Sequence, residues 1–295
     1  MRAGGKDFEM ALNRKKHLRS LVILAAIALA MSGCSVVNSL RAKDSLNEGV
    51  REFNKGKYEL ARAKFEHALE LSPGMMNAQK FHARTLNAQF ETTLKKDLGM
   101  ETINAYEKMI KENPDDFKVI DEALAFITKV YDKLAENMPD EEDQSPEHLE
   151  KVRDEYRAKQ RETLLRRAEN ANKAGDKDIE AAVYHALGAS YWNECYYLHS
   201  ERFVRYNRPI PPDVAEKMRP LTLKGHEYIQ KSIAIKADQP DVWVFERLLL
   251  YEDLKIENDP ARKKEIDARI KDVTANYDKY REQQQQQAEK AGGTG

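Results

Sequence analysis

From Asp44 to about Glu282, apolar residues recur at three- and four-residue spacing, and the text is interrupted only by short breakers. Gly56-Lys57, Ser72-Pro73-Gly74, Asn113-Pro114, Gly175, Arg208-Pro209-Ile210-Pro211-Pro212 and Asp259-Pro260 each end one helical run and open another. Such a chain has few choices. An amphipathic helix of two to six turns cannot bury its apolar stripe alone, so consecutive helices must fold back on one another and stack. The expected class is all-α, a helical-hairpin solenoid of about five helix pairs over 44–282. Inter-hairpin burial, at about 25 cal/mol per Å² of apolar surface, offsets the entropy of ordering the chain. Only 10 Pro and 13 Gly in 295 residues, with 34% charged, agree with helices and argue against a β-sandwich.

The expected helices begin at a cap on Asp44-Ser45, and a second runs from Tyr58 to Leu71. Met75–Leu94, Met100–Glu112 and 115–136 follow. An acidic loop, Pro139-Asp140-Glu141-Glu142-Asp143, leads to Ser145-Pro146-Glu147: a cap, a proline at the first helical position and an acid at the positive end. That helix should reach Ala174 and stop at Gly175, with a thin apolar stripe and much wet surface. A helix through Tyr196 toward Phe203 comes next, then a proline-bearing insertion over 204–220, then helices carrying Gly225, spanning Asp241 to about Glu257, and running from Pro260 to about Glu282. Residues 283–295, with five consecutive Gln and a Gly-rich end, read as a disordered tail.

The first 33 residues differ in kind. Arg14-Lys15-Lys16-His17-Leu18-Arg19 precedes an apolar run of eleven, Leu21–Met31, and then Ser32-Gly33-Cys34. Eleven residues fall short of the about twenty that cross a bilayer core, and fit the hydrophobic region of a secretory signal peptide. Met31-Ser32-Gly33-Cys34 resembles the lipobox of bacterial lipoproteins, with Met where Leu is preferred. The resemblance implies a signal peptide over 1–33, cleavage between Gly33 and Cys34, and lipid on the Cys34 thiol. Several acyl chains, at about 0.8 kcal/mol per buried CH₂, make a lasting membrane anchor. It places the chain in the cell envelope on the extracytoplasmic side, and Ser35 favours the periplasmic face of the outer membrane if the host is Gram-negative. Residues 34–43 would then be the lipidated cysteine and a short polar tether.

Two stretches resemble the tetratricopeptide repeat. Over 42–75 the motif positions are Gly49, Gly56, Tyr58, Ala61, Phe65, Ala68 and Pro73; over 181–192 they are Tyr184, Leu187, Gly188 and Tyr191. Small residues let two helices approach closely while the aromatics fill the space beside them. The first repeat lacks the family's early Trp and first-helix Tyr, with Ser45 and Glu52 standing there. In this family the first helix of each pair lines a groove. Carried over, the groove positions are His185, Ala189, Trp192 and Asn193, and in the first repeat Leu46, Val50, Phe53 and Asn54. Leu46 and Val50 depart from the Lys and Asn with which some members clamp a C-terminal carboxylate.

The resemblance implies a protein or peptide partner docked on a scaffold. Tyr191, Trp192, Tyr196, Tyr197, Phe203 and Tyr206 form the densest aromatic stretch, which suits either groove anchors or a helix buried against the proline-rich insertion.

No chemistry-bearing motif competes with that reading. Cys195 and His199 lie four apart on one helix face, near His185 and Glu194, but no second Cys or His pair sits at a matching offset, so no metal is expected. Cys195 reads as a small buried hydrophobe. There is no phosphate loop and no nucleophile elbow, so no catalytic residue and no cofactor are expected. Without residues 1–33 the chain carries a net charge of −5, with no basic stripe for nucleic acid. The expected role is a non-enzymatic, membrane-tethered adaptor. The alternatives are an envelope enzyme with a purely spatial site, or a small-molecule or lipid carrier with a closed apolar cavity.

Overall fold

The computed structural model describes residues 37–138, 142–199 and 209–292, and ten helices, with no strand, among them. These are α1 (37–54), α2 (Tyr58–Leu71), α3 (Met76–Thr93), α4 (Lys96–Glu112), α5 (Phe117–Asn137), α6 (Pro146–Ala174), α7 (Lys177–His199), α8 (Pro212–Ile235), α9 (Pro240–Ile256) and α10 (Pro260–Gly292). The expected all-α architecture of consecutive helices joined by short turns is present. Residues up to Thr93 form one compact unit and those from Leu94 another. The expected signal peptide over 1–33, Cys34, residues 139–141, Phe203 and Tyr206 lie outside the described residues. No described helix is long and apolar enough to cross a membrane.

In the first unit, α1 and α2 make a hairpin around Gly56, whose φ of +72° is a left-handed value that an L side chain rarely adopts. Ala61, Phe65 and Ala68 form the buried stripe of α2. The α1 backbone comes so near that a Cβ at Gly49 would stand 2.5 Å from the Phe65 ring. Phe65 stacks on Phe81 of α3 with centroids 5.6 Å apart, and Ala78, Ala83, Leu86 and Phe90 complete the core. An ion pair, Lys64 to Glu48 at 2.5 Å, ties the exposed side of the hairpin.

The second unit runs from α4 to α10, each helix packed on the next, with α7 also touching α9. Helix ends follow local chemistry. The Asp116 carboxylate accepts from the backbone N–H groups of Lys118 and Val119, opening α5. Ser145 caps α6, Pro146 follows it, and Gly175, at φ +72°, closes the helix by donating to the Ala171 and Asn172 carbonyls.

The thin apolar stripe of α6 is supplemented by polar ties. Arg166 forks onto Glu107 of α4 at 2.5 and 3.0 Å, and Arg167 onto Asp121 of α5 at 2.7 and 3.2 Å. Asn170 donates to the Phe117 carbonyl.

The tightest crossing joins α7 and α8. Gly188 faces Ile229 so closely that a Cβ there would lie 2.5 Å from two of its carbons and 3.1 Å from the Gly225 carbonyl oxygen. Leu187, Val183, Leu164, Ala168 and Tyr228 are buried around it, and Tyr184 and Tyr191 stack on Tyr228 at 6.2 and 5.8 Å. The Ser232 hydroxyl donates to the Ala181 carbonyl at 2.8 Å, a buried contact that holds the crossing's register.

Three boundaries differ from the sequence reading. The tether expected over 34–43 is helical from 37, because Ala42 is fully buried and its packing outweighs the capping preference of Asp44-Ser45. The tail expected to be disordered over 283–295 continues α10 as far as Gly292: glutamine is a good helix former, and no breaker precedes Gly292. Of the insertion expected over 204–220, the described non-helical part is 209–211 alone. Pro212 serves as a helix-starting proline, and Pro220 lies within α8 on its exposed side. Ile210 is held by packing against the core of Cys195, Met218 and Ile256. A smaller shift brings α4 forward to Lys96, with Gly99 buried inside it.

Candidate protein-docking face

Helix α7 is held on three sides, and its flanks do different things. Towards α9 it turns His185, Trp192, Tyr196 and His199. His185 meets Phe245 edge-on at 5.0 Å, Trp192 meets the same ring at 5.6 Å, and Tyr196 stacks on Trp192 at 5.3 Å. The result is a continuous row of rings crossing from α7 to α9. Its outer end is open, since Tyr196 is exposed. Trp192 and His185 are half-buried, and Trp192 Nε1 and His185 Nε2 are sealed from solvent without a hydrogen-bond partner among the described residues. Burial holds the His185 imidazole below its ordinary pKa, against the opposing pull of Asp241, and so favours the neutral ring. Ala189 is half-buried and Asn193 exposed.

Towards α6, α7 turns Ser190, Tyr191, Glu194 and Tyr197. Arg161 pairs with Glu194, donates from Nε to the Ser190 hydroxyl at 2.9 Å, and lies over the Tyr191 ring at 4.0 Å. Arg157, one turn earlier, lies over Tyr197 at 4.9 Å. His185 and Glu194 are therefore not brought together: one packs on α9, the other is bound to α6.

The groove positions of the first repeat are placed differently. Phe53 is half-buried against Tyr58 at 5.5 Å and Phe81 at 6.1 Å, so it belongs to the aromatic packing of α1–α3. Asn54 is exposed, and Leu46 and Val50 are half-buried.

No protein-family model and no curated protein matches the sequence. Among solved structures, the chain is similar to pilF of Pseudomonas aeruginosa: 16% identity over 81% of this chain and 90% of that one, with a TM-score of 0.37. It is also similar to TTC0263, a thermophilic TPR protein of Thermus thermophilus: 16% identity over 81% of this chain and 98% of that one, with a TM-score of 0.35. The helical-repeat architecture stands on the chain's own hairpins, with their small residues at the crossings.

Two buried polar clusters went unseen in the sequence. Glu252 of α9 is almost wholly inside, paired with His199 at 2.6 Å and with Lys255 at 2.9 Å. Burial raises its pKa, but the His199 and Lys255 contacts outweigh that and hold the carboxyl below its ordinary value. Nearby, His226 of α8 is clamped between two α9 carboxylates, Glu246 at 2.9 Å and Asp253 at 3.0 Å, while Arg269 of α10 reaches Glu246 at 3.0 Å. Burial works against the imidazolium, yet the two carboxylates raise its pKa to about 9.

One signal was available: Glu246 falls in register with Val242, Leu249 and Leu250 on the buried stripe of α9, where a carboxylate needs a partner. Cys195 sits in the apolar core with Met218 and Ile256, and burial pushes its thiol pKa up, so it is a packing residue. Among the described residues no cluster of three or more His, Cys, Asp or Glu is arranged to hold a metal.

Proposed function

We propose that this chain is a lipid-anchored, extracytoplasmic adaptor that presents the α7–α9 aromatic row to a protein partner in envelope assembly, secretion or export. The observation that carries the docking half is the ring row His185–Phe245–Trp192–Tyr196, half-buried at one end and exposed at the other. Anchored aromatics with an open edge suit a peptide or a helix laid across two neighbouring helices, because the rings contribute apolar area with little side-chain entropy to lose. The anchoring half rests on the lipobox at Cys34 and the basic and apolar segments before it.

Each half has its own test. Cys34→Ser should move nearly all of the protein from the membrane pellet to the soluble fraction, as acyl chains account for lasting attachment. Persistent pelleting after carbonate washing would end the anchor.

Trp192→Ala should lower the yield of a site-specific crosslink placed at Asn193 by about tenfold, the effect of losing a hot-spot aromatic. Trp192 also packs on Phe245, so its melting temperature should fall as well, by roughly 5 °C. If yield per folded molecule stays at the wild-type level, Trp192 serves the core alone and the docking face is elsewhere.

A further inference from the structure

On the opposite flank of α7 lies an arginine with no carboxylate at ion-pairing distance among the described residues, although Glu194, Asp154 and Asp132 act on its charge from further away. Arg157 of α6 is 7% exposed, yet it makes no ion pair or hydrogen bond with a described residue, and its Nε is sealed and unpartnered. The contact it does make is with the face of Tyr197, which is itself 54% exposed. Arginine stays protonated under all ordinary conditions, so the buried charge is not relieved by losing a proton. The next arginine along the helix, Arg161, is fully engaged by Glu194 and Ser190. The preceding one, Arg153, is half-buried and, like Arg157, has no carboxylate paired with it among the described residues. A buried cation held over an aromatic ring, with a second arginine one helical turn away, is suited to an anion.

We propose that Arg157 and Arg153, backed by Tyr197, seat a single carboxylate side chain carried on an otherwise uncharged segment of a partner protein. The charge of the surroundings selects the ligand. Glu194 and Glu150 lie near enough that, after burial, they are what raises the pKa of Asp154 beside the arginines. A dianionic phosphate would meet all three of these acids, whereas a single planar carboxylate matches the guanidinium fork at the smallest repulsion. This seat is distinct from the ring row: it faces α6, not α9, and uses polar recognition where the other uses apolar area.

The experiment uses the full chain in detergent and a short fluorescein-labelled peptide with one glutamate among glycines, with a twin in which glutamine replaces that glutamate. The glutamate peptide should bind with affinity that falls as salt rises, and the twin should bind at least tenfold more weakly. Arg157→Gln should lose about tenfold or more in affinity, as expected for a charged hydrogen-bonding partner. Arg157→Lys, which keeps the charge and loses the fork, should fall between. Circular dichroism checks that each variant folds; should Arg157→Gln unfold, Arg153→Gln, at a less buried position, carries the test with an expected loss of several-fold. Equal binding of the two peptides, or wild-type affinity in the folded Arg variants, overturns the proposal. Displacement of the peptide by inorganic phosphate at concentrations where acetate has no effect overturns the assignment to a single carboxylate.

Discussion

Gly188→Val should destabilise the unit containing α4–α10 by about 3 kcal/mol, lowering its thermal midpoint by roughly 10 °C. The effect is steric. The first carbon of any side chain at this position would lie 2.5 Å from Ile229, and Ile229 is fully buried, so it has no free space to turn into. Behind it the Gly225 carbonyl, at 3.1 Å, belongs to the α8 backbone and can yield only if the helix moves. Moving α8 away from α7 would also stretch the Ser232 hydroxyl contact with the Ala181 carbonyl and the Tyr184–Tyr228–Tyr191 stack. Thermal melting by circular dichroism measures the loss, and Ile229→Ala in the same chain should return part of it, because the two sites share one space. A wild-type midpoint for Gly188→Val, or strictly additive effects in the double variant, would show that this contact does not set the crossing.

His226 should make the same unit weaken as the solution becomes alkaline. The imidazolium sits between Glu246 and Asp253, with its pKa raised to about 9 against 6.5 for a free histidine. The folded state therefore holds the proton more tightly than the unfolded chain does. The resulting stability, on the order of 3 kcal/mol, is fully present below pH 6.5 and is lost as pH rises through about 9. The groups that face the ring are Glu246 and Asp253 from α9 and, through Glu246, Arg269 from α10. His226→Gln removes the titration and leaves Glu246, only 1% exposed, with Arg269 as its remaining charged partner among the described residues. Urea unfolding of wild type and variant between pH 6 and pH 10 separates this histidine from other titrations, because only their difference depends on it. The gap should be widest near pH 6 and narrow through pH 9; a gap constant across that range would mean His226 is not held as a cation.

The helical runs and most of their boundaries were legible because they are local. Period, caps and breakers act within a turn or two, so Ser145-Pro146 and Gly175 bound α6 where the sequence placed them. Closely spaced small and aromatic residues also announced the crossings: Gly49 with Phe65, and Gly188 against the small-residue position Gly225. Boundaries failed where packing or the absence of a breaker outweighed a local preference. Ala42 is drawn into the first unit's core upstream of a good cap, and the glutamines simply prolong α10.

The proposed docking face was only half readable. The resemblance to the tetratricopeptide repeat pointed to Trp192 and His185, but Phe245, the ring that joins them, lies on a different helix 53 residues beyond Trp192 in the sequence.

The sequence by itself determined that this chain is a succession of amphipathic helices with close-approach glycines at fixed places, since periodicity and side-chain size are properties of neighbours along the chain. Only the tertiary structure decided which charges meet. It set His226 between Glu246 and Asp253, committed Glu194 to Arg161, and left the Arg157 Nε without a hydrogen-bond partner among the described residues. The reason is geometric: each of these pairings joins residues on separate helices, and the register and rotation of one helix against the next are fixed by packing, which no local pattern encodes.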